Sequence, residues 1–415
     1  MARVMTKASE LLVGLDIGTA KVAAVVGEVT DAGLAVLGVG SAPAEGLRKG
    51  VVVDIDATVH AIEQALKEAE LAAGCEIHTV VAGVGGGHIR GFNSHGVVGV
   101  RGRDVVQTDV DRVLEAARAV ALPADRDILH VLSQDFVLDG QEGIRAAVGM
   151  SGVRLEARVH IITTAISSAQ NVIKCCQRTG LHVADLVLGP LAAAEAVLTP
   201  EEKDLGVALV DLGAGTTDVL VFDEGSLRHT AVLSVGGNHI TSDIAAGLRT
   251  PFRDAEVLKL RSGCALARIV PVDQSVEVPC VGGRTPRLLS RHLLSQIIEA
   301  RAEEMFGLVK QHIAKAGAEE SLAAGVVLTG GTAQLDAIVA LAEQVFGVPV
   351  RVGVPVGVVA ANGAAESIGN PAFAAAVGLV QHGTRPNDYG ALRTDDAPLF
   401  HKVRQRLKGW MEVFF

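Results

Sequence analysis

Aromatic side chains are scarce in this chain, with ten Phe, one Trp and one Tyr among 415 residues. Its interior must therefore be packed from Val, Ala and Gly, which suits buried strands and close helix–sheet contact. Cysteine is equally sparse. Cys75, Cys175, Cys176, Cys264 and Cys280 form no Cys-x-x-Cys pair, and their odd number excludes a simple disulfide framework and points to a reducing cytosol. The thirteen histidines show no His-Glu-x-x-His or comparable spacing, so no structural metal site is expected. Cationic excess is absent as well: the formal net charge of −10 argues against broad nucleic-acid binding. No uncharged apolar run reaches the roughly eighteen residues of a membrane-spanning helix. The stretch from Val345 to Ala365 comes closest, but Pro349, Arg351 and Pro355 interrupt it, and it reads as buried core. Met1 to Glu10 is mildly polar and Asp16 breaks the apolar stretch that follows, so no secretory signal is expected.

What the chain does have is apolar bulk, 49% of its residues, enough for roughly two to four domains. It also carries one pattern twice. Val13-Gly14-Leu15-Asp16-Ile17-Gly18-Thr19-Ala20-Lys21 runs into the apolar Val22–Gly27. Ala208-Leu209-Val210-Asp211-Leu212-Gly213-Ala214-Gly215-Thr216-Thr217-Asp218 runs into Val219–Phe222. Each reads as an apolar strand ending in Asp-x-Gly, a small-residue turn with hydroxyls, and a second apolar strand. Such a tip exposes backbone N–H groups, and glycine lets it approach an anion closely. Asp16 and Asp211 can organise Mg²⁺, mostly through water. The Gly18–Thr19 and Gly213–Thr217 backbones, including Gly215, with the Thr216 and Thr217 hydroxyls, can cradle phosphates, and Lys21 adds a point charge. Two such hairpins face to face would grip a polyphosphate from both sides.

Around these hairpins the pattern alternates. A third apolar stretch, Leu34–Gly40, predicts three successive antiparallel strands. Thr58–Ala73 carries apolar residues at helical spacing, with Gly74 as a stop. Thr79–Val84 reads as a buried strand, and Gly85-Gly86-Gly87 after it as a turn, with a phosphate loop as the alternative although no Gly-Lys-Ser/Thr follows. From there to about His160 Asp and Arg are dense and a helix is predicted from Thr108 to Val120, which suggests a small inserted α+β subdomain. Strand, helix and strand return from Ile161 to Leu188. A helix-rich stretch covers Ile240–Gly317. Gly325–Thr329 then reads as a buried strand that ends in Gly330-Gly331 at the start of a helix over Gln334–Phe346. That turn could hold an adenosine or α-phosphate through backbone N–H groups and the helix N-terminus.

The C-terminus is distinct. Four of the twelve aromatic residues, Phe400, Trp410, Phe414 and Phe415, lie in the last sixteen positions. Phe400, Val403, Leu407, Trp410, Met411 and Phe414 recur on one helix face, while Lys402, Arg404, Arg406 and Lys408 line the other. This describes a helix lying in an anionic membrane interface. The Gly-, Pro- and Asp-containing segment before it reads as a flexible tether.

In type, order and spacing the three glycine elements resemble those of the superfamily of actin, heat-shock chaperones and sugar kinases. Gly18–Ala24, Gln141–Ile144, Ser151–Arg154, Ser275–Pro279, Gly282–Arg284, Val327–Gly331 and the amphipathic tail resemble the bacterial FtsA cell-division family, over essentially the whole chain. The resemblance implies an α/β, two-lobed actin-like ATPase fold with duplicated βββαβα cores. The implied domains are a lobe-one core at 10–84 and 165–198, an inserted subdomain at 85–164, a lobe-two core at 199–235 and 325–383, a helix-rich subdomain at 236–324, a linker at 384–398 and a membrane helix at 399–415. It implies that ATP and Mg²⁺ bind, with Glu256 and Lys259 at the ribose and adenine and Gly236-Gly237 approaching the nucleotide. The family's chaperone-like cousins position the attacking water with a glutamate before Pro-x-Ala-Ala-Ala. Gly189 stands there instead, which leaves Asp211 as the candidate for orienting water and implies slow or negligible hydrolysis. The implied partners are the C-terminal peptide of the tubulin-like FtsZ, met by Arg284, Arg287 and Arg301, further copies of the chain in a filament, and an anionic membrane. Other division proteins would meet the inserted subdomain. The implied place is the inner face of the cytoplasmic membrane at the septum. The competing readings are a small-molecule kinase of the same superfamily and a PilM-like pilus-assembly adaptor.

Overall fold

The structure, a computed structural model, describes residues 11–30, 33–282, 285–318, 321–361 and 364–384. The predicted membrane helix, nearly all of the tether and Arg284 lie outside the described residues. The chain divides into two compact units.

Among the described residues the first unit contains two large sheets and two short two-stranded ones. One has the strand order His182–Leu188, Thr79–Val84, Leu11–Ile17, Lys21–Thr30, Gly33–Pro43, Val358–Ala360. The three strands nearest the N-terminus pair antiparallel, as their sequence predicts, and the other three add in parallel. Val22–Val26 is fully buried, because helix Ile55–Ala73 covers one face and helix Ala374–Thr384 the other. Helix Ala374–Thr384 also crosses helix Gly189–Val197. A Cβ at Gly378 would overlap the Ala192 carbonyl, so glycine is required for this approach.

The other large sheet repeats the plan. Val207–Leu212 pairs antiparallel with Thr217–Asp223 and parallel with Val326–Thr329, which pairs parallel with Val350–Val352. Helices Gly237–Leu248, Phe252–Ser262 and Arg291–Lys315 pack with this sheet around Ile240, Ile298, Phe306 and Val309. Phe306 meets Phe346 edge-on, with ring centroids 5.3 Å apart.

One expected element differs. The Gly330-Gly331 turn does not open an α-helix at Gln334. It enters a 3₁₀ turn, Gly331–Gln334, and the α-helix covers only Ile338–Phe346. Tertiary bonds hold the turn in place: Gly330 N–H donates to the Pro371 carbonyl at 3.2 Å and the Thr332 hydroxyl to the Gly213 carbonyl at 3.3 Å. Ala337, with φ of 59°, then redirects the chain before the helix begins. The α-helix N-terminus is therefore not at the glycine turn.

The second unit comprises His88–Gln170 with Ser226–Thr230. Its antiparallel sheet has the order Arg90–Gly99, Arg154–Ala165, Arg126–Leu138, Gln141–Ile144. Helix Gln107–Arg118 buries Val110, Val113, Leu114 and Ala117 against Leu155, Ala157, Val159 and Ile161. Polar side chains hold Ser226–Thr230 to this sheet. Gln134 donates to the Leu227 carbonyl at 2.7 Å, and His160 Nε2 lies 3.0 Å from the Thr230 hydroxyl.

Candidate functional site

In the first hairpin Asp16 stands opposite Ala23, and the turn is closed by Gly18 N–H donating to the Lys21 carbonyl at 3.0 Å. In the second, Asp211 stands opposite Asp218. The two tips meet. A Cβ on Gly215 would come within 2.7 Å of the Thr19 hydroxyl and 2.9 Å of Lys49 Cα, and that hydroxyl accepts from Gly50 N–H at 2.9 Å. The paired tips border a cavity of about 590 Å³, within the size range of a small-molecule site. Asp16, Gly18, Thr19, Lys21, Asp211, Gly213, Gly215, Thr216, Glu256, Lys259, Gly330 and Gly331 all line it.

Three residues named from the sequence stand behind this wall. The buried Thr217 hydroxyl donates to the Val235 carbonyl at 2.9 Å, and Gly237 N–H donates to the Gly213 carbonyl at 2.9 Å. Gly236 packs so tightly that a Cβ would approach Gly213 O at 2.6 Å and Ala214 O at 2.8 Å. They brace the second turn rather than facing the cavity.

The floor is acidic, with Asp218 buried and Asp16 and Asp211 half-buried. Burial raises the Asp16 carboxyl above its ordinary range, against the pull of Lys21. Burial, and then the charge of Asp16, pushes Asp211 up to about 7. Burial and the charge of Asp211 push Asp218 up to about 8, although the Thr216 hydroxyl donates to it at 2.9 Å. The other Asp218 oxygen, Oδ1, is buried without a hydrogen-bond partner. Such a set is stabilised by an incoming cation. Among the described residues no three or more His, Cys, Asp or Glu side chains gather closely enough to chelate a metal directly. Lys21 is pushed down to about 8 by burial, with Asp16 opposing, and its ammonium lies 3.1 Å from the centre of the Phe373 ring.

Glu256 and Lys259 sit one turn apart on helix Phe252–Ser262. Lys259 Nζ is 2.7 Å from Glu256 Oε2, 3.0 Å from the Thr241 hydroxyl and 3.2 Å from the Gly237 carbonyl. The Thr241 hydroxyl also donates to the Glu256 carboxylate. The pair is tied into the cavity wall and is not a solvated surface pair.

Gly189 and Pro190 line the cavity at the start of their helix, so no carboxylate stands there. Glu195, one and a half turns on, does not line it. Its side chain is only 1% exposed and faces His382, with Oε1 3.9 Å from Nδ1, an ion-pair rather than a hydrogen-bond distance. Arg287 donates to the Leu248 carbonyl at 2.6 Å. Arg301 makes two bonds to Asp243, at 2.5 and 3.2 Å, and one to Glu304 at 2.6 Å. Both arginines lie apart from the cavity.

Sequence reasoning missed several lining groups. Asp218 was visible in the motif but received no role, although strand pairing alone places it opposite Asp211. Gly85 and Gly86, whose alternative reading is a phosphate loop, border the cavity. Gly50, Arg291, Gln334 and Asp336 also line it, without a local signal that would have marked them.

A family model described as "Cell division protein FtsA" matches residues 208–378, and one described as "SHS2 domain inserted in FTSA" matches residues 86–163. The chain is 47% identical over 416 residues to the cell division protein FtsA of Pseudomonas aeruginosa, covering 99% of each chain. It is 44% identical to that of Escherichia coli K12 over 418 residues, covering 98% of each. Among solved structures it resembles the PilM–PilN type IV pilus biogenesis complex, with a TM-score of 0.66, 19% identity and coverage of 90% of this chain and 99% of the other. It also resembles ADP-bound MreB5 of Spiroplasma citri, with a TM-score of 0.51, 13% identity and coverage of 91% and 96%. These structural likenesses establish the actin-like ATPase fold.

Proposed function

The chain belongs to the FtsA family of cell-division proteins, and from that premise we propose that it binds ATP, polymerises on the inner face of the cytoplasmic membrane and tethers the FtsZ ring to it. The observation that carries the nucleotide part is the meeting of two acidic-tipped hairpins over one cavity. A triphosphate fits between the turn backbones of Gly18–Thr19 and Gly213–Thr216, with Lys21 beside it. Glu256 and Lys259 then face the ribose and base, and Gly330-Gly331 closes the adenosine side with backbone N–H groups.

The cavity's donor set fits Mg²⁺: hard carboxylate oxygens on Asp16 and Asp211, buried within reach of each other's charge, with an unpartnered Asp218 oxygen close behind. The ion would supply countercharge to the phosphates. Asp16 and Asp211 would hold it through water. Gly189 offers no carboxylate to a water and Glu195 is directed away, which leaves Asp211 as the candidate to orient one. Turnover is therefore slow or negligible.

The remaining parts of the proposal rest on the tail and the helix-rich region. The tail, residues 399–415, anchors the protein to anionic lipid reversibly, and assembly into a filament strengthens attachment through avidity. The FtsZ C-terminal peptide docks on the helix-rich region of residues 236–324, and other division proteins meet the inserted subdomain. The test is nucleotide binding and turnover by the purified chain with Mg²⁺ and anionic vesicles. ATP should bind, with turnover far below about 1 s⁻¹. Ordinary enzymatic turnover, or no binding at all, contradicts the proposal.

A further inference from the structure

Aromatic residues are rare in this chain, yet one is spent against Lys21, a residue of the cavity wall. Phe373 presents its ring to the Lys21 ammonium at 3.1 Å. The ring's mount is rigid. Phe373 ends the 3₁₀ turn Pro371–Phe373, in which the Asn370 side chain accepts from Ala372 N–H at 2.8 Å and the Asn370 carbonyl accepts from Phe373 N–H at 3.0 Å. The Pro371 carbonyl accepts from Gly330 N–H at 3.2 Å and from the Thr329 hydroxyl at 3.3 Å. The next residues, Ala374 and Ala375, line the cavity and open the helix Ala374–Thr384. The turn that carries Phe373 is thus bonded directly to the third glycine element.

Lys21 needs such a seat. Its backbone is fixed by the hairpin, but its side chain is a flexible stem that ends in a point charge, without the planar fork that orients an arginine. The charge of Asp16 acts on it. An ammonium drawn onto that carboxylate would neutralise the group proposed to organise Mg²⁺ and would leave the phosphates without a cation. A ring face holds a cation by its quadrupole and leaves its N–H donors free on the far side, and the attraction grows where water is excluded.

We propose that Phe373 is a positioning residue for the nucleotide: its ring face holds the Lys21 ammonium at the phosphate end of the cavity and apart from Asp16. The inference rests on the reading of the cavity as a nucleotide site. The experiment is a double-mutant cycle on the full-length chain, with the affinity for ATP in Mg²⁺ measured by displacement of a fluorescent ATP analogue. Phe373→Leu keeps an apolar side chain of similar bulk and removes the π face. It should weaken ATP binding roughly five- to thirtyfold, the span between an exposed and a desolvated cation–π contact. Phe373→Tyr should bind within about twofold of the unaltered chain, since the ring face is kept. In a Lys21→Met background, Phe373→Leu should cost less than about twofold, because the partner is gone. Unchanged affinity in Phe373→Leu, or an equal loss with and without Lys21, overturns the positioning role while leaving the nucleotide reading intact. Failure of the unaltered chain to bind ATP overturns both, so the two failures are distinguishable.

Discussion

Gly330 lies directly against Asp211: a Cβ added to Gly330 would overlap the Asp211 Oδ1. The third glycine element thereby sets where the second hairpin's aspartate can stand. Gly330 also adopts φ of +84°, a region that favours glycine. Gly330→Ala should lower stability by about 1–3 kcal/mol and weaken ATP binding more than about tenfold. Denaturant melts and nucleotide titration check the two effects separately. Unaltered ATP affinity would remove this contact from the account of the site.

His382 links the last described helix to the core. It lies 3.3 Å from Asp185 and 3.9 Å from Glu195. Burial works against its charge, but its hydrogen bond to the Asp185 carboxylate and the charges of Asp185 and Glu195 prevail and raise it to about 9. The folded-state value lies above the unfolded one, so the stabilisation is fully present below about pH 6.5 and is lost as pH rises towards 9. Stability should fall by on the order of 2–3 kcal/mol across that window. His382→Gln should flatten this slope and lower stability near neutral pH, because Glu195 remains buried without its cation. Urea midpoints at pH 6.5 and 9 provide the measurement.

Arg301 and Arg287 differ in how they are held. Arg301 is bonded to Asp243 and Glu304 and so joins helix Arg291–Lys315 to helix Gly237–Leu248. Arg301→Glu should lower stability by about 1 kcal/mol, because two carboxylates would then face a third. Arg287, held only by a backbone carbonyl among the bonds described, can redirect its charge at less cost. Arg287→Glu should weaken binding of an acidic FtsZ tail peptide severalfold at unchanged melting temperature. Peptide titration with melting curves for each variant distinguishes the two, and unchanged peptide affinity in Arg287→Glu would clear that residue from the docking surface.

Removal of residues 399–415 should abolish sedimentation with anionic vesicles and leave ATP affinity unchanged. Each partly inserted apolar side chain is worth on the order of 1–2 kcal/mol and each basic residue about 1 near an anionic leaflet, so partial truncation should weaken binding in steps. Persistent sedimentation of the truncated chain would place membrane attachment elsewhere.

Much of the site was legible because it is written in local pattern. Strand, Asp-x-Gly, turn and strand occupy contiguous residues, and antiparallel pairing then dictates that Asp16 and Asp211 stand at the tips. The 3₁₀ turn after Gly330 was not legible, because bonds to Pro371 and Gly213, distant in sequence, overrule the helical preference of Gln334–Phe346. That Arg291 lines the cavity was not legible, since an arginine means little until another segment faces it.

The sequence by itself determined the repeated hairpins and the fold they build, since each follows from backbone periodicity and side-chain type within a short window. Only the tertiary structure decided which groups remain available: Arg301 is committed to Asp243, Glu195 to His382, the Thr217 hydroxyl to a carbonyl, and Lys21 to the face of Phe373. Those choices depend on partners brought together across long separations, such as the 197 residues between His382 and Asp185, and a charge or ring has no assigned partner until the chain closes around it.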